Sequence, residues 1–301
     1  MIEIVFAIFG VIALGYVARW AGILPESAYK PLNDFVYYIS MPLLIFTKLA
    51  ETNLGAEHLL LAATNALPML VAMAAVALLW KFRACKPKTC ALLLLGSCFG
   101  NIVYMGFPVL QLRFGAGSIA EGAIISLVSN LLMFTLGFAL LGMMSGVKWG
   151  KLAAEKIMKN TVIPACVLGA LFSISGISLP AQLLDLFASV GSTTTPLALF
   201  SMGLFIYGKK IGKNPALIAG LSFAKLAIYP AVFVGCALLL GLRGTPFGIS
   251  LLESMMPLAV TNFVISEKFN LDKEAMAEAV IASTLLSIPF LLGFDWLLPL
   301  L

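Results

Sequence analysis

Long apolar stretches alternate with short polar turns along the whole chain, and this pattern constrains the fold more than any other feature. Hydrophobic residues make up 61% of the 301 residues and charged residues 11%, against roughly 45–50% and 25% in soluble domains. The mean hydropathy is +1.05. A soluble fold cannot bury so much apolar surface, so the sequence predicts an all-α membrane protein.

We place ten transmembrane helices along the chain, because about 20 residues cross a bilayer and only short turns remain between them. The first helix has no basic residue before its apolar stretch, so we expect it to be retained rather than cleaved as a signal peptide. The predicted helices cover residues 2–19, 32–50, 57–81, 88–112, 118–143, 160–175, 182–208, 215–241, 246–268 and 275–298.

Lysine and arginine concentrate in alternate turns, which sets the expected orientation. If the N-terminus lies outside, most of the 19 basic residues fall on the cytoplasmic side, and the net charge of +5 reflects orientation rather than a nucleic-acid partner. We therefore predict an inner-membrane protein with both termini extracytoplasmic. The predicted cytoplasmic basic residues are Arg19, Lys30, Lys81, Arg83, Lys86, Lys88, Lys148, Lys151, Lys156, Lys159, Lys209, Lys210, Lys213, Lys268 and Lys273.

The two halves of the chain resemble each other in sequence. The first-half motifs recur 154 residues later, and a third set recurs at a slightly longer spacing. A preserved register over two helices indicates an internal repeat. The matching pairs are Leu14-Gly15 with Leu168-Gly169, Gly22-Ile23 with Gly176-Ile177, Pro42-Leu43 and Phe46 with Pro196-Leu197 and Phe200, and Ala120-Glu121 and Ser126 with Ala277-Glu278 and Ser283.

Each half holds five predicted helices, and an odd number makes the second half enter the membrane from the opposite side. We therefore predict two inverted five-helix repeats, at residues 1–143 and 160–301, joined by a cytoplasmic linker at residues 144–159. Inverted repeats around a midplane site are typical of transporters. The alternative is an old duplication that has no role in the mechanism.

The fourth predicted helix contains residues that interrupt a helix. Gly100, Asn101 and Gly106 weaken it, and Pro108 lacks an amide donor and disfavours helix directly before it. Non-helical backbone at membrane depth is tolerated only where protein or a watery cavity satisfies it. The interruption therefore indicates a functional site.

The ninth predicted helix, which is the repeat mate of the fourth, contains Pro257 followed by Thr261 and Asn262. Paired broken helices in corresponding positions point to a substrate site. Half-helices that begin near Gly106 and Thr261 would direct free amides and positive dipole ends to the midplane, which favours an anion such as a carboxylate. Asn101 and Asn262 supply side-chain amide donors, and the alternative role for both is to cap the helix breaks.

Lys225 lies about ten residues into the eighth predicted helix, which is roughly 15 Å deep at 1.5 Å per residue. Burying a lysine inside a membrane is energetically unfavourable, so such a residue is by default a functional candidate. Three roles are open for it. Its charge offsets the partial negative charge at the C-terminal ends of the half-helices, its ammonium contacts the substrate, or its side chain extends to the membrane interface. Its repeat mate is Val71, so the charge belongs to one half alone.

Glu253, one turn before Pro257, is the carboxylate inside a broken helix. It is a candidate partner of Lys225, a candidate proton carrier, or a residue of an outer water-filled vestibule. We therefore assign Lys225 and Glu253 to coupling or charge balance. No metal site or cofactor is predicted, and the five cysteines do not suggest a disulfide framework.

At these residues the chain resembles the auxin efflux carrier family of membrane transporters, in its bacterial and archaeal form. The resemblance covers nearly the whole chain, and the break from Gly100-Asn101 to Gly106-Phe107-Pro108 is its most specific part. The resembling segments are LGYVARWAGILP at 14–25, LNDFVYYISMPLLIF at 32–46, GNIVYMGFPVLQLRFG at 100–115, TPLALFSMGLFI at 195–206 and MPLAVTNFVISEKFNLD at 256–272.

The resemblance implies a ten-helix inverted-repeat fold similar to bile-acid symporters, with crossed broken helices four and nine. It further implies that helices 1, 2, 6 and 7 form a scaffold, through which family members dimerise, and that helices 3–5 and 8–10 form a mobile transport domain. Its substrates are small organic anions, including dicarboxylates. The crossover positions implied for this chain are Asn101, Gly106, Pro108, Pro257, Thr261 and Asn262.

Two function classes compete at this point. The favoured one is a secondary carrier for a small carboxylate, which works by alternating access and is driven by a proton, a sodium ion or the anion's own gradient. The alternative is a cation (sodium)/proton antiporter on the same fold, which calls for an aspartate or an aspartate pair at the crossover that the sequence lacks. An intramembrane enzyme is not expected, because the single histidine, His58, lies at a predicted helix end.

Overall fold

The computed structural model describes residues 1–177, 179–208 and 214–298, and within these ranges the secondary structure is helical, with one isolated β-bridge and no strand. Lys209, Lys210 and Lys213, three of the predicted cytoplasmic lysines, lie outside the described residues. The helices of the first half are α1 (Ile2–Trp20), α2 (Tyr29–Phe35), α3 (Met41–Ala50), α4 (Ala56–Lys81), α5 (Pro87–Cys98), α6 (Phe107–Phe114), α7 (Ile119–Leu132), α8 (Phe138–Ser145) and α9 (Gly150–Met158).

The outer bounds of the helical stretches match the predicted segments to within a few residues, but several predicted segments are divided. Segments 88–112 and 246–268 are divided by non-helical backbone, segments 32–50, 118–143 and 215–241 by π-helical turns, and segment 182–208 at Thr193; α9 lies within the predicted linker. The helices of the second half are α10 (Val162–Ser175), α11 (Ala181–Ser192), α12 (Thr194–Ile206), α13 (Pro215–Phe223), α14 (Tyr229–Leu240), α15 (Gly244–Ser254), α16 (Thr261–Lys268) and α17 (Lys273–Leu297).

Six helical stretches among the described residues are long and apolar enough to cross a membrane. A seventh candidate is the pair α9 and α10, which bends by 49°. The divided helices are individually too short to span a bilayer, which needs about 20 residues. The predicted number of ten crossings therefore stays a prediction. The six stretches are Ile2–Trp20, Ala56–Lys81, Ala116–Ser145, Ala181–Ile206, Pro215–Leu240 and Lys273–Leu297.

π-Helical turns interrupt several of the helices, and proline explains most of them. A proline has no amide hydrogen, and its ring collides with the carbonyl four residues earlier in a regular α-helix. A wider π turn directly before it relieves both problems. Three of the four π turns in the described residues end two residues before a proline: Val36–Ser40 before Pro42, Ile102–Gly106 before Pro108, and Ala224–Ile228 before Pro230; the fourth is Met133–Gly137.

The chain divides into two compact units. Unit 1 comprises the described residues of Met1–Leu59, Ile102–Leu127 and Asn160–Lys209, and unit 2 those of Leu60–Asn101, Val128–Lys159 and Lys210–Leu301. Each unit is therefore assembled from chain segments that are distant in sequence.

Glycine allows two helix pairs in unit 1 to approach closely. A Cβ on Gly15 of α1 would lie 2.0 Å from the carbonyl oxygen of Phe200 in α12, and one on Gly203 would lie 2.0 Å from the carbonyl oxygen of Ile12. Such contacts between backbones are the usual way for helices to pack in lipid, where apolar side chains gain little from association.

The repeat-related residues in unit 1 make the equivalent contact. A Cβ on Gly169 of α10 would lie 2.7 Å from Leu49 Cβ and 3.1 Å from the carbonyl oxygen of Phe46 in α3. Gly169 and Phe46 are the repeat mates of Gly15 and Phe200. The first helix of each half thus packs on the second helix of the other half.

Unit 2 contains a chain of edge-on aromatic contacts. The ring of Phe134 lies 5.9 Å from that of Phe99 and 5.4 Å from that of Phe138, and Phe138 in turn lies 4.9 Å from Phe269. Such geometry is favourable for aromatic pairs. The chain of rings links residues from the end of α5, the segment around α8 and the end of α16.

A disulfide in unit 2 differs from the sequence expectation. Cys85 and Cys90 are bonded, and their Cα atoms lie 6.1 Å apart, within the range that a disulfide requires. The expectation was wrong because it considered compartment and overall number rather than the short turn that brings these two residues together. Cys98, Cys166 and Cys236 are free and buried.

Candidate functional site

The first break in unit 2 follows α5. Phe99 leaves the helix in an extended conformation, with φ −116° and ψ 93°, and Gly100 and Asn101 continue the non-helical segment. Helical structure resumes at Ile102, in a π turn, four residues earlier than Gly106, where the sequence suggested that it begins. The π turn accommodates Pro108 inside the helix, so the non-helical backbone is confined to residues 99–101.

Gly106 and Pro108 belong to unit 1, unlike Gly100 and Asn101. Both are buried in helical structure: Gly106 ends the π turn, and Pro108 follows two residues later, where that wider turn accommodates the missing amide hydrogen.

The second break in unit 2 separates α15, which ends at Ser254, from α16, which begins at Thr261. Pro257 lies in the middle of it and is buried. The amide of Leu258 donates a hydrogen bond to Ser283 Oγ at 3.1 Å. Ser283, a residue of the internal repeat, therefore fixes the backbone of the break from α17.

The two breaks pair with each other through their backbones. Gly100 and Leu258 form an antiparallel β-bridge, the one such bridge among the described residues. Pairing in this way satisfies amides and carbonyls that cannot be solvated in lipid. The hydrogen bonds run from the Asn101 amide to the Pro257 carbonyl (2.8 Å) and from the Ala259 amide to the Phe99 carbonyl (3.1 Å).

The side chain of Asn262 caps the C-terminal end of α5. Its side-chain amide donates to the carbonyl of Phe99 at 2.9 Å and to that of Leu95 at 3.2 Å. Its Oδ1 is buried and has no hydrogen-bond partner in residues 1–177, 179–208 and 214–298. In this conformation the amide hydrogens of Asn262 thus cap the first half-helix, which is the capping role that the sequence left open.

Lys225 is 1% exposed and lies in the π turn between α13 and α14. Its ammonium donates to the carbonyl of Ser254, the last residue of α15, at 2.6 Å, and lies 4.5 Å from the centre of the Tyr229 ring. A cation at the C-terminal end of a helix is favourable, because that end carries partial negative charge. The side chain does not extend to an interface.

Gly100 leaves space for this lysine. A Cβ at Gly100 would lie 2.8 Å from Lys225 Cε and 3.2 Å from its Nζ. The glycine in the first break and the lysine of the eighth predicted helix are therefore in direct contact.

Glu253 is 2% exposed, and neither of its carboxyl oxygens has a hydrogen-bond partner within the described part of the chain. It lies close enough to Lys225 for an electrostatic interaction. Glu253 and Lys225 are therefore neighbours without a hydrogen bond between them.

Unit 2 thus assembles most of the residues that the sequence indicated: Gly100, Asn101, Lys225, Glu253, Pro257, Thr261 and Asn262. Asn101 is 3% exposed, whereas Thr261, the first residue of α16, is partly exposed. Sequence reasoning missed Tyr229, although its spacing of four residues from Lys225 on one helix face was a usable signal. It also missed the Ser254 carbonyl, for which the sequence carries no signal.

Comparison with known proteins gives the family. The family model described as "Membrane transport protein" matches residues 1–153 and 146–294. An "Uncharacterized transporter" of Methanothermobacter thermautotrophicus is 28% identical over 95% of this chain and 94% of its own length. A protein of Rhizobium meliloti named "Putative malonate transporter" is 25% identical over 98% of this chain and 95% of its own.

A plant relative matches half of the chain. The "Probable auxin efflux carrier component 5a" of Oryza sativa is 27% identical over 50% of this chain and 43% of its own length. The family match covers nearly the whole chain, and the apolar helices are those of a multi-pass membrane protein. The chain therefore belongs to the membrane transport protein family that includes the auxin efflux carriers.

Proposed function

We propose that this protein is a secondary carrier that moves a small organic carboxylate across the inner membrane by elevator-type alternating access. Its substrate is held at the paired breaks in unit 2, in a fold of ten transmembrane helices with both termini extracytoplasmic. The observation that carries the proposal is the antiparallel pairing of the two breaks beside a buried lysine.

The electrostatics at the breaks favour an anion. Lys225 contributes a positive charge next to Gly100, and α16 begins at Thr261, where the positive end of its helix dipole lies beside the second break. Asn101 adds a side-chain amide on the opposite strand of the bridge. In a medium of low dielectric constant these donors hold a carboxylate far better than they would in water.

The inverted repeat supports alternating access. The glycine contacts pair Gly15 with Phe200 and Gly169 with Phe46, which are related by the repeat. Two halves with equivalent contacts are able to exchange conformations, and that exchange converts an outward-open carrier into an inward-open one.

Malonate is the first substrate to test, because the Rhizobium meliloti relative, which matches this chain over 95% of its own length, is named "Putative malonate transporter". A short dicarboxylate also suits the site chemically. One carboxylate would accept hydrogen bonds from the Asn101 side chain and the Thr261 amide, and the charge of Lys225 would balance part of the other carboxylate.

The test is uptake of labelled malonate, succinate, acetate and indole-3-acetate into proteoliposomes, with pH, sodium and voltage varied separately. We expect saturable uptake of at least one carboxylate. The Asn101→Ala variant should lose at least about tenfold in uptake, the equivalent of 1.4 kcal/mol. The matched control is Asn65→Ala, a buried asparagine of unit 2 that bonds to Leu61 and Ser250 away from the breaks.

Wild-type vesicles that take up none of the four carboxylates would contradict the proposal. Sodium-driven proton release without any anion uptake would establish the cation/proton antiporter instead. Equal uptake by Asn101→Ala and the wild type would leave a carrier whose site lies elsewhere.

A further inference from the structure

Glu253 is a buried carboxyl group without a hydrogen-bond donor among the described residues. It is 2% exposed, and both of its oxygens are buried. An ionised carboxylate in such a place is strongly unfavourable unless a nearby charge compensates it. The residue therefore depends on either a proton or the field of a cation.

The neighbouring cation is directed elsewhere. Lys225 donates its hydrogen bond to the Ser254 carbonyl, one residue beyond Glu253, and stacks on the Tyr229 ring. Glu253 interacts electrostatically with Lys225 but makes no hydrogen bond to it. The net charge of the two residues therefore depends on whether Glu253 is protonated, and they do not form a hydrogen-bonded ion pair.

We infer that Glu253 is the proton-carrying residue of this carrier, and that it takes up one proton for each carboxylate bound at the paired breaks. The inference rests on the proposed function. With Glu253 ionised, the charge of Lys225 is neutralised, and the breaks attract an anion weakly. With a solvent proton added to a Glu253 oxygen, the charge of Lys225 is uncompensated and is available to the substrate.

Among the described residues, the other titratable groups that interact with Lys225 or Glu253 are a thiol and a phenol. Cys98 of α5 faces Lys225, and Tyr229 of α14 lies under it. Their ordinary pKa values are about 8.5 and 10, so neither is charged at neutral pH. From α4, Asn65 contacts the preceding turn of α15 at Ser250, and it does not titrate. The balance at neutral pH therefore lies between Glu253 and Lys225.

Reciprocal linkage gives the expected size of the effect. If substrate binding favours the protonated carboxyl, protonation favours substrate by the same factor. The apparent affinity for malonate should fall by up to tenfold per pH unit over the range in which Glu253 ionises. Binding should also take up one proton per malonate from the solution.

The experiment measures malonate affinity and proton uptake of the full chain in weakly buffered detergent solution between pH 6.5 and 8.5, where malonate is largely ionised on both carboxyls. The wild type should take up about one proton per malonate. Glu253→Gln, a permanently neutral mimic, should bind malonate with less than a twofold change over this range and take up no proton. Glu267→Gln, whose carboxylate is exposed and pairs with Lys273, is the control and should behave as the wild type does.

The outcomes separate the two proposals. Malonate binding without proton uptake in the wild type overturns the role of Glu253 and leaves the carboxylate carrier intact, and the wild-type measurement decides this even if Glu253→Gln fails to fold. Proton uptake that persists in Glu253→Gln also overturns it. Failure of every carboxylate in the uptake panel overturns the proposed function itself, and this inference with it.

Discussion

The two compact units bury different kinds of group. Unit 1 brings helices together at glycines, where backbones approach too closely for any side chain, as at Gly15 and Gly203. Unit 2 buries Lys225, the glutamates Glu253 and Glu278, and two break segments whose backbones hydrogen-bond to each other. Small-residue packing stabilises helices in lipid, whereas buried ionisable groups destabilise a membrane protein and persist where function requires them. The comparison supports the proposal that unit 1 gives structural support and that unit 2 holds the substrate site.

The repeat makes this difference more informative. The glycine contacts of unit 1 occur in both halves of the sequence, at Gly15 and at Gly169. The charge of unit 2 occurs in one half alone, because Val71 stands where the repeat would place a second lysine. The glycine contacts therefore occur at matching positions in both halves, whereas the buried lysine occurs in one half alone.

The largest expected effect is the loss of a close contact in unit 1. A side chain at Gly203 would collide with the Ile12 carbonyl and the Tyr16 amide, both of which are backbone groups that cannot move away. Gly203→Leu should destabilise the fold by more than about 3 kcal/mol. Size-exclusion chromatography and thermal unfolding in detergent measure this. Gly10→Leu, at a position with open space around its Cβ, is the control, and equal melting of the two variants would contradict the contact.

The next effect concerns the cap between the breaks in unit 2. Asn262→Ala removes the donors to the Leu95 and Phe99 carbonyls and leaves both buried in an apolar medium. We expect a loss of roughly 1–3 kcal/mol in stability, together with weaker transport. Thermal unfolding and malonate uptake are measured side by side. If Asn262→Ala melts as the wild type does, the cap contributes nothing, and the amide of Asn262 is free to serve the substrate.

Lys225→Met sharpens the contrast between support and function. Methionine fills a similar volume, but it leaves the buried Ser254 carbonyl without its donor and Glu253 without the neighbouring cation, so the variant should melt at a lower temperature. Uptake of malonate should fall about tenfold, which corresponds to 1.4 kcal/mol of lost anion stabilisation. Lys273→Met, which breaks an exposed pair with Glu267, is the control. Full uptake by Lys225→Met would reduce the lysine to a structural role.

The smallest effect concerns an ordinary helix end in unit 2. The Asp272 side chain accepts a hydrogen bond from the Ala275 amide at 2.9 Å and caps α17. Asp272→Ala should cost about 1 kcal/mol of stability and leave malonate affinity unchanged. Asn214→Ala removes the equivalent cap of α13 and should behave in the same way. A change in substrate affinity in either variant would mean that unit 2 transmits any loss of stability to the site.

The sequence predicted the helices well because hydrophobic stretches and turns are local signals. It also indicated which two helices are interrupted, since glycine, asparagine and proline disturb a helix wherever they occur. It located the first interruption but placed the start of the following half-helix at Gly106, four residues after its actual start at Ile102. A π turn accommodates Pro108 there, and residue types alone do not predict a π turn.

The hydrogen-bond partners of Lys225 and Asn262 could not be predicted from the sequence. Lys225 bonds to the Ser254 carbonyl and Asn262 to the Phe99 carbonyl, and every residue type carries a carbonyl. The antiparallel pairing of the breaks is likewise made by backbone atoms. Contacts between backbone atoms depend on the tertiary arrangement, so residue types do not predict them.

The most direct test of the central claim is an experimental density map of the protein with saturating malonate. We expect both breaks to remain paired at Gly100 and Leu258, with a carboxylate within hydrogen-bond distance of the Asn101 side chain and the Thr261 amide. Straight, unpaired helices over residues 88–112 and 246–268, or malonate bound away from Asn101 and Thr261, would contradict the account.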